Sequence, residues 1–148
     1  MAQNKAAART IYPMEISIFD IKDQDEVIEL WRDCGLLRAQ NDPYDDIKRK
    51  INHSPELFFV GRKDGKIIAS VMAGYEGRRG WINLLGVAPS AQKSGFGREI
   101  MDFAEKKLGE LGCVKVNLQI RHTNEQAINF YQSLGYEEDH VFSMGKRL

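Results

Sequence analysis

Val87-Ala88-Pro89-Ser90-Ala91-Gln92-Lys93-Ser94-Gly95-Phe96-Gly97-Arg98-Glu99-Ile100 is the stretch on which the reading of the whole chain turns. Upstream, Trp81 to Val87 is rich in strand-forming residues, and Pro89, which has no backbone N–H to give, stops the strand. Downstream, Ile100, Met101, Ala104, Leu108 and Leu111 recur at helical spacing, predicting an amphipathic helix that ends at Gly112. A glycine-bearing loop that opens a helix gathers free backbone N–H groups and the positive end of the helix dipole into one small volume, which suits a phosphate. Two familiar nucleotide loops fail on spacing. A Walker loop would end Gly-Lys-Ser/Thr where this one has Gly97-Arg98-Glu99, and a Rossmann loop would place a third glycine where Ile100 stands. Taken alone, Gln92 to Arg98 also reads as a plain tight turn at a helix start.

Working outward, Met14, Ile16 and Ile18 alternate as in a short strand with one covered face. Asp23 and Glu26 have capping-box spacing for a helix to about Leu37, with Val27, Leu30, Trp31 and Cys34 along its apolar stripe. Asp42-Pro43 opens a second helix to His53. Two β-rich runs, Leu57 to Gly61 and Lys66 to Tyr75, flank Asp64-Gly65, a strong hairpin signal, and a further turn at Glu76 to Gly80 leads to Trp81. After the central helix, Val114, Val116, Leu118 and Ile120 predict a strand. Thr123 with Gln126 predicts a capping box for a helix from there to Leu134, stopped by Gly135, and Tyr136 to Glu138 and Val141 to Met144 predict two short terminal strands. The expected fold is α/β (α+β), a mixed, mostly antiparallel central sheet flanked by about four helices, in one domain over residues 14–148. Residues 1–13 read as a tail outside it, an expression remnant or the product of a start upstream of Met14.

Composition narrows the function. Lys plus Arg and Asp plus Glu number 21 each, so no global positive field exists to hold DNA or an acidic membrane, and no apolar run approaches the roughly 20 residues that span a bilayer. Cys34 and Cys113 lack CxxC spacing and fit free thiols in a cytoplasmic protein. His53, His122 and His140 share no metal-ligand spacing, so no metal is expected.

Val87, Pro89, Gln92, Gly95 and Gly97 fit the pattern Gln/Arg-x-x-Gly-x-Gly/Ala after a strand ending Val-x-Pro. Asn124, Ala127, Phe130, Tyr131, Leu134, Gly135 and Tyr136 fit N-x-x-A-x-x-F-Y-x-x-L-G-F/Y. With these two motifs in this order the chain resembles the GNAT superfamily of N-acetyltransferases. Within it, Leu36-Leu37-Arg38, Asn41-Asp42-Pro43, Arg49-Lys50, Asn52-His53 and Gly145-Lys146-Arg147-Leu148 are similar to bacterial YpeA-type acetyltransferases.

The resemblance implies the acyl-coenzyme A N-acyltransferase fold and acetyl-coenzyme A as cosubstrate. Gln92, Lys93, Ser94, Gly95, Phe96, Gly97 and Arg98 would cradle its pyrophosphate, and its pantetheine arm would lie along Leu85 and Val87 with Asn124 beside it. The amide of Leu85 would face the thioester oxygen, a role contributing ~3 kcal/mol in acyl-transfer sites. Tyr131 would protonate the departing thiolate, since a phenol of pKa about 10 stays protonated near neutrality and a thiol has pKa about 8.5. For Tyr131 the alternative is a core tyrosine, and for Asn124 a residue of the helix's first turn.

The amine must lose a proton before it attacks, a cost of about 4 kcal/mol at pH 7.4 for a lysine-like amine. Gln119 and Trp81 stand where family members carry a glutamate base, while Glu76 and Asp42 are other carboxylates in reach, so the base stays open. Arg38, Asn41 and Tyr44 fall where the family shapes its acceptor pocket. The expected function is acetyl transfer to a primary amine, on a small molecule or a protein, by direct attack in a ternary complex. The alternative is an acetyl-coenzyme A sensor without turnover. No nucleic-acid or membrane partner is expected, and a homodimer is left open.

Overall fold

The computed structural model describes residues 14–148, so the expected tail lies outside the described residues. Along the chain run β1 (Glu15–Ile18), α1 (Gln24–Asp33), α2 (Pro43–Ile51), β2 (Phe58–Lys63), β3 (Lys66–Tyr75), β4 (Gly80–Val87), α3 (Phe96–Glu110), β5 (Val116–Leu118) and α4 (Glu125–Ser133). The five strands form one sheet in sequence order, antiparallel except for the parallel pair β4 and β5. Asp64-Gly65 makes the expected tight turn, both residues at positive φ, with Lys63 opposite Lys66. Asp42 caps α2 by accepting from the Tyr44 amide, and Pro43 occupies the first helical position, where no N–H is missed.

Successive side chains on a strand point to opposite faces. Phe58 and Val60 therefore pack to one side with Val27, Leu30 and Trp31 of α1 and Ile47 of α2. Phe59, Val71 and Ala73 pack to the other with Ile100, Met101, Ala104 and Leu108 of α3. Each large side chain so buried contributes about 1.5–3 kcal/mol. Among the described residues Ser70 is the polar residue that is fully buried, and its Oγ accepts from Trp31 Nε1 at 2.9 Å, satisfying both.

Several local expectations are corrected. The first helix ends at Asp33, not near Leu37, because Gly35 at φ 69° lets the amides of Gly35 and Leu36 return to the carbonyls of Arg32 and Trp31, which closes the helix. The expected stops at Gly112 and Gly135 use the same device, at φ 90° and 94°. Neither capping box forms. Asp23 instead pairs with Arg62, and the Glu26 carboxylate accepts from the Ile67 amide at 2.8 Å. Asn124 rather than Thr123 caps α4.

The strand expected over Val114 to Ile120 shrinks to β5, with Val114 86% exposed. The terminal strands expected at Tyr136 to Glu138 and Val141 to Met144 do not form. That segment follows β5 through side chains only: Asp139 accepts from Lys115 and Asn117, and Gln119 bonds Ser143.

Candidate functional site

The site begins where the sheet ladder fails. Gly80, Trp81 and Ile82 of β4 pair with Val116, Asn117 and Leu118 of β5, and beyond Ile82 the two parallel strands part. On its other edge β4 stays bound to β3, but with a bulge. Ser70 faces Gly86 and Met72 faces Asn83, so Val71 alone stands opposite both Leu84 and Leu85. Leu84 adopts φ 50°, a left-handed conformation that a branched side chain resists, held here by the ladder on either side. The bulge re-aims the backbone at Leu85, the position expected to face a thioester.

The end of the open half of β4 is tied down from two sides. The Val87 carbonyl accepts from the Gln92 side chain at 3.0 Å and from Cys34 Sγ at 3.2 Å. Burial raises the Cys34 thiol above its ordinary value, with Asp33 adding to the effect, so it is a weak nucleophile. From Gln92 the chain enters the loop, where Lys93 at φ 61° and Gly95 at φ 88° curl the backbone as in an anion-binding nest. Among the described residues, none accepts a hydrogen bond from the amides of Lys93, Ser94, Gly95, Phe96, Gly97 or Arg98; the helical ladder starts with Glu99 donating to Gly95. Six unpaired donors at the head of a 15-residue helix suit a phosphate. The side chains do less than the amides: Phe96 is buried in the core, and Arg98 donates to the Ser133 carbonyl at 3.0 Å, joining α3 to the end of α4.

Gly97 holds these pieces together by its smallness. A Cβ there would fall 3.0 Å from the Phe130 ring and 3.6 Å from Val87, so loop, open strand and α4 meet at this point. Tyr131, next along α4, packs edge-on against Phe130 and Tyr136, and burial pushes its phenol up to about 12. A phenol so raised remains a proton donor well above neutrality. Asn124 caps α4, its Oδ1 accepting from the Ala127 amide at 3.1 Å.

The carboxylates considered as bases have structural duties. Glu76 accepts from the amides of Arg78 and Arg79 at its hairpin tip, and Asp42 caps α2. Gln119 bonds Ser143, and Trp81 faces a cavity of about 880 Å³ between β5, α4 and the C-terminal segment. Tyr131 also lines that cavity, while Leu85, Val87 and the loop do not.

A second cavity, of about 600 Å³, lies on the α2 side of the bulge, walled by Leu84, Met72 and Asn83 from the sheet. Arg49, Lys50 and Asp46 line it from α2, with Asn41 and His53 at the helix's two ends. Of the residues expected to shape an acceptor pocket, Asn41 is there, and its Oδ1 accepts from Arg147 at 3.2 Å. Tyr44 turns instead toward Asp25, and Arg38 lines neither cavity. Asn83 and Leu84 belong to no motif, and of this wall only the Arg49-Lys50 and Asn52-His53 pairs stand out in the sequence. Among the described residues no group of three His, Cys, Asp or Glu is arranged to hold a metal.

The sequence profile of the acetyltransferase (GNAT) family matches residues 24–136. An acetyltransferase of Yersinia pestis is 47% identical over 135 residues, covering 91% of this chain and 96% of that protein. Among solved structures, AAC(6')-Iy in complex with the bisubstrate analogue CoA-S-monomethyl-acetylneamine superposes with a TM-score of 0.75 at 17% identity, over 93% of this chain and all of that one. The PaiA N-acetyltransferase of Thermoplasma acidophilum, in complex with coenzyme A, superposes with a TM-score of 0.71 at 18% identity, over 88% of this chain and 94% of that one. At such identities these two likenesses concern the fold.

Proposed function

The chain belongs to the acetyltransferase (GNAT) family and is an acetyltransferase; from that premise we propose that it takes acetyl from acetyl-coenzyme A and delivers it to a primary amine by direct attack in a ternary complex. The observation that carries this reading is the parting of β4 from β5 after Ile82, with the six unpaired amides of Lys93 to Arg98 at the far end of the opening. The amides take the pyrophosphate, and the pantetheine arm replaces the missing strand partner along Leu85 and Val87. Gly97, where a Cβ would crowd the Phe130 ring, lets the loop lie close against α4 beside this opening.

The neutral amine attacks the thioester carbon, and a tetrahedral oxyanion forms facing the Leu85 amide at the bulge. As the C–S bond breaks, the sulfur takes a proton from Tyr131, whose buried phenol has kept it. The proton lost by the amine returns through solvent to the phenolate. Asn124 contributes by fixing the first turn of α4 beneath Tyr131. Free Cys34 and Cys113 are compatible with the cytoplasmic setting that we assign.

The test combines a binding and a turnover measurement. Acetyl-coenzyme A at ~100 times its dissociation constant should stabilise the fold by about 2.7 kcal/mol, with no shift from ATP or NAD at equal concentration. Tyr131→Phe should keep that protection while turnover falls about a hundredfold. No protection at saturation would sink the donor assignment. Protection with no turnover on any amine would favour the sensor instead.

A further inference from the structure

We propose that the cavity on the α2 side of β4 selects an amine that itself carries an acidic group, a carboxylate or a phosphate, with Lys50 and Arg49 holding the acid while the amine reaches the bulge at Leu84 and Leu85. The proposal rests on reading the chain as an N-acetyltransferase.

Charge is the first ground. Two cations, Arg49 and Lys50, line the cavity against one carboxylate, Asp46, which already bonds Arg49 at 2.9 Å. Arg147 adds a third cation at the rim through Asn41. A cationic acceptor such as a polyamine would meet this excess unfavourably, and an acidic one would neutralise it.

The second ground is the state of Lys50. Its ammonium is half-buried and donates to the neutral Ala73 carbonyl. No described carboxylate lies within ion-pair distance of it, and Glu56 acts on it only from farther away. An ammonium has three donors, so at least one is left for a ligand. Burial draws this lysine below its ordinary value, and an anion placed beside it would reverse that effect.

Position is the third ground. Ala73, where the Lys50 head is anchored, faces Ile82, three residues ahead of Leu85, or roughly 10 Å along the strand. A small molecule with its acid at Lys50 can place its amine at the bulge. Asn83, on the intervening stretch, offers an amide that can give or accept along the way.

The experiment uses matched acceptors at saturating acetyl-coenzyme A, followed by thiol release: an α-amino acid against its carboxamide, and an amino-sugar phosphate against the free amino sugar. In parallel, calorimetric titration of the same four compounds into the protein with coenzyme A reads binding without turnover. The acid member of at least one pair should be favoured about ten- to hundredfold in kcat/KM, the range of a charge-assisted hydrogen bond, and which pair responds tells carboxylate from phosphate. Lys50→Met, which keeps the buried stem, should bring that ratio close to one, and Arg49→Gln, at an exposed position, should reduce it without endangering the fold. Turnover of amides and free sugars as good as that of the acids would overturn the acidic pocket and leave the transferase standing. Acids that bind, and lose binding in Lys50→Met, while no amine is acetylated would uphold the pocket and overturn the transferase. No turnover and no acid binding would overturn both.

Discussion

The sheet from β1 to β4 and the stretch from β5 onward are built to different standards. In the first, four strands pair in long antiparallel ladders, interrupted only by register shifts at Gly61/Arg62 and Ser70/Met72, and both faces are covered, one by α1 and α2 and the other by α3. In the second, β5 pairs over three residues, α4 has no fully buried side chain, and Val141, Phe142 and Met144 stand at 77%, 97% and 92% exposure. The proposed chemistry sits on the seam between them. A thioester arm needs an unpaired strand edge to bind, and the general acid needs to approach from the other side of the gap. A scaffold laddered throughout would offer neither; one loose throughout would hold no geometry.

The comparison breaks most visibly in the core. Phe59→Ala removes a 1%-exposed ring that packs edge-on against Phe103 at 5.0 Å, and should cost about 3–5 kcal/mol in denaturant unfolding. Phe130→Ala, in the half-buried α4, should cost about 1–2 kcal/mol, because less surface returns to water, while weakening acetyl-coenzyme A protection. Equal costs for the two would mean that the second region is as well packed as the first. A smaller and more local effect is expected at the seam itself. Gly97→Ala forces the Phe130 ring to give by a few tenths of an ångström, and should raise the KM for acetyl-coenzyme A by about tenfold, with about 1 kcal/mol of stability lost to overpacking. An unchanged KM would separate the loop from the opening between the strands.

The same division decides what could be read from the sequence. In the first region local signals and long-range packing agree: Asp64-Gly65 turns where its backbone preference says, Asp42-Pro43 starts its helix, and the loop from Gln92 leads into α3. Where a side chain was needed elsewhere, the local signal misled. Asp23 and Glu26 have capping-box spacing, yet Arg62 and the Ile67 amide claim them, and no local window contains those partners. Leu84 gives no hint of its left-handed backbone, because the bulge is imposed by two ladders of unequal count. The cavity wall of Lys50, Asn83 and Leu84 falls within no single motif; it exists only once α2 lies against β3 and β4. At the C-terminus Val141, Phe142 and Met144 are residues a strand would favour, but such a run becomes a strand only with a partner edge, and here it lies uncovered.

The smallest expected effect tests whether the seam is dry. In the folded chain the Tyr131 phenol is pushed up to about 12 by burial, whereas an unfolded tyrosine titrates near its ordinary value, about 10. Below pH ~10 both states hold the proton and the group adds no pH dependence. Between about pH 10 and 12 the unfolded chain has released a proton that the folded chain keeps, so stability falls as pH rises through that window. Tyr136 acts with the same sign, its phenol raised first by burial and then by donating to Glu105 at 2.9 Å. Denaturation midpoints measured from pH 9 to 11 should therefore decline, and Tyr131→Phe should make the decline shallower without abolishing it. An identical slope in the variant would mean that Tyr131 is solvated in solution. The phenol would then titrate normally, and α4 would be looser against the sheet than its contacts with Phe130 and Tyr136 indicate.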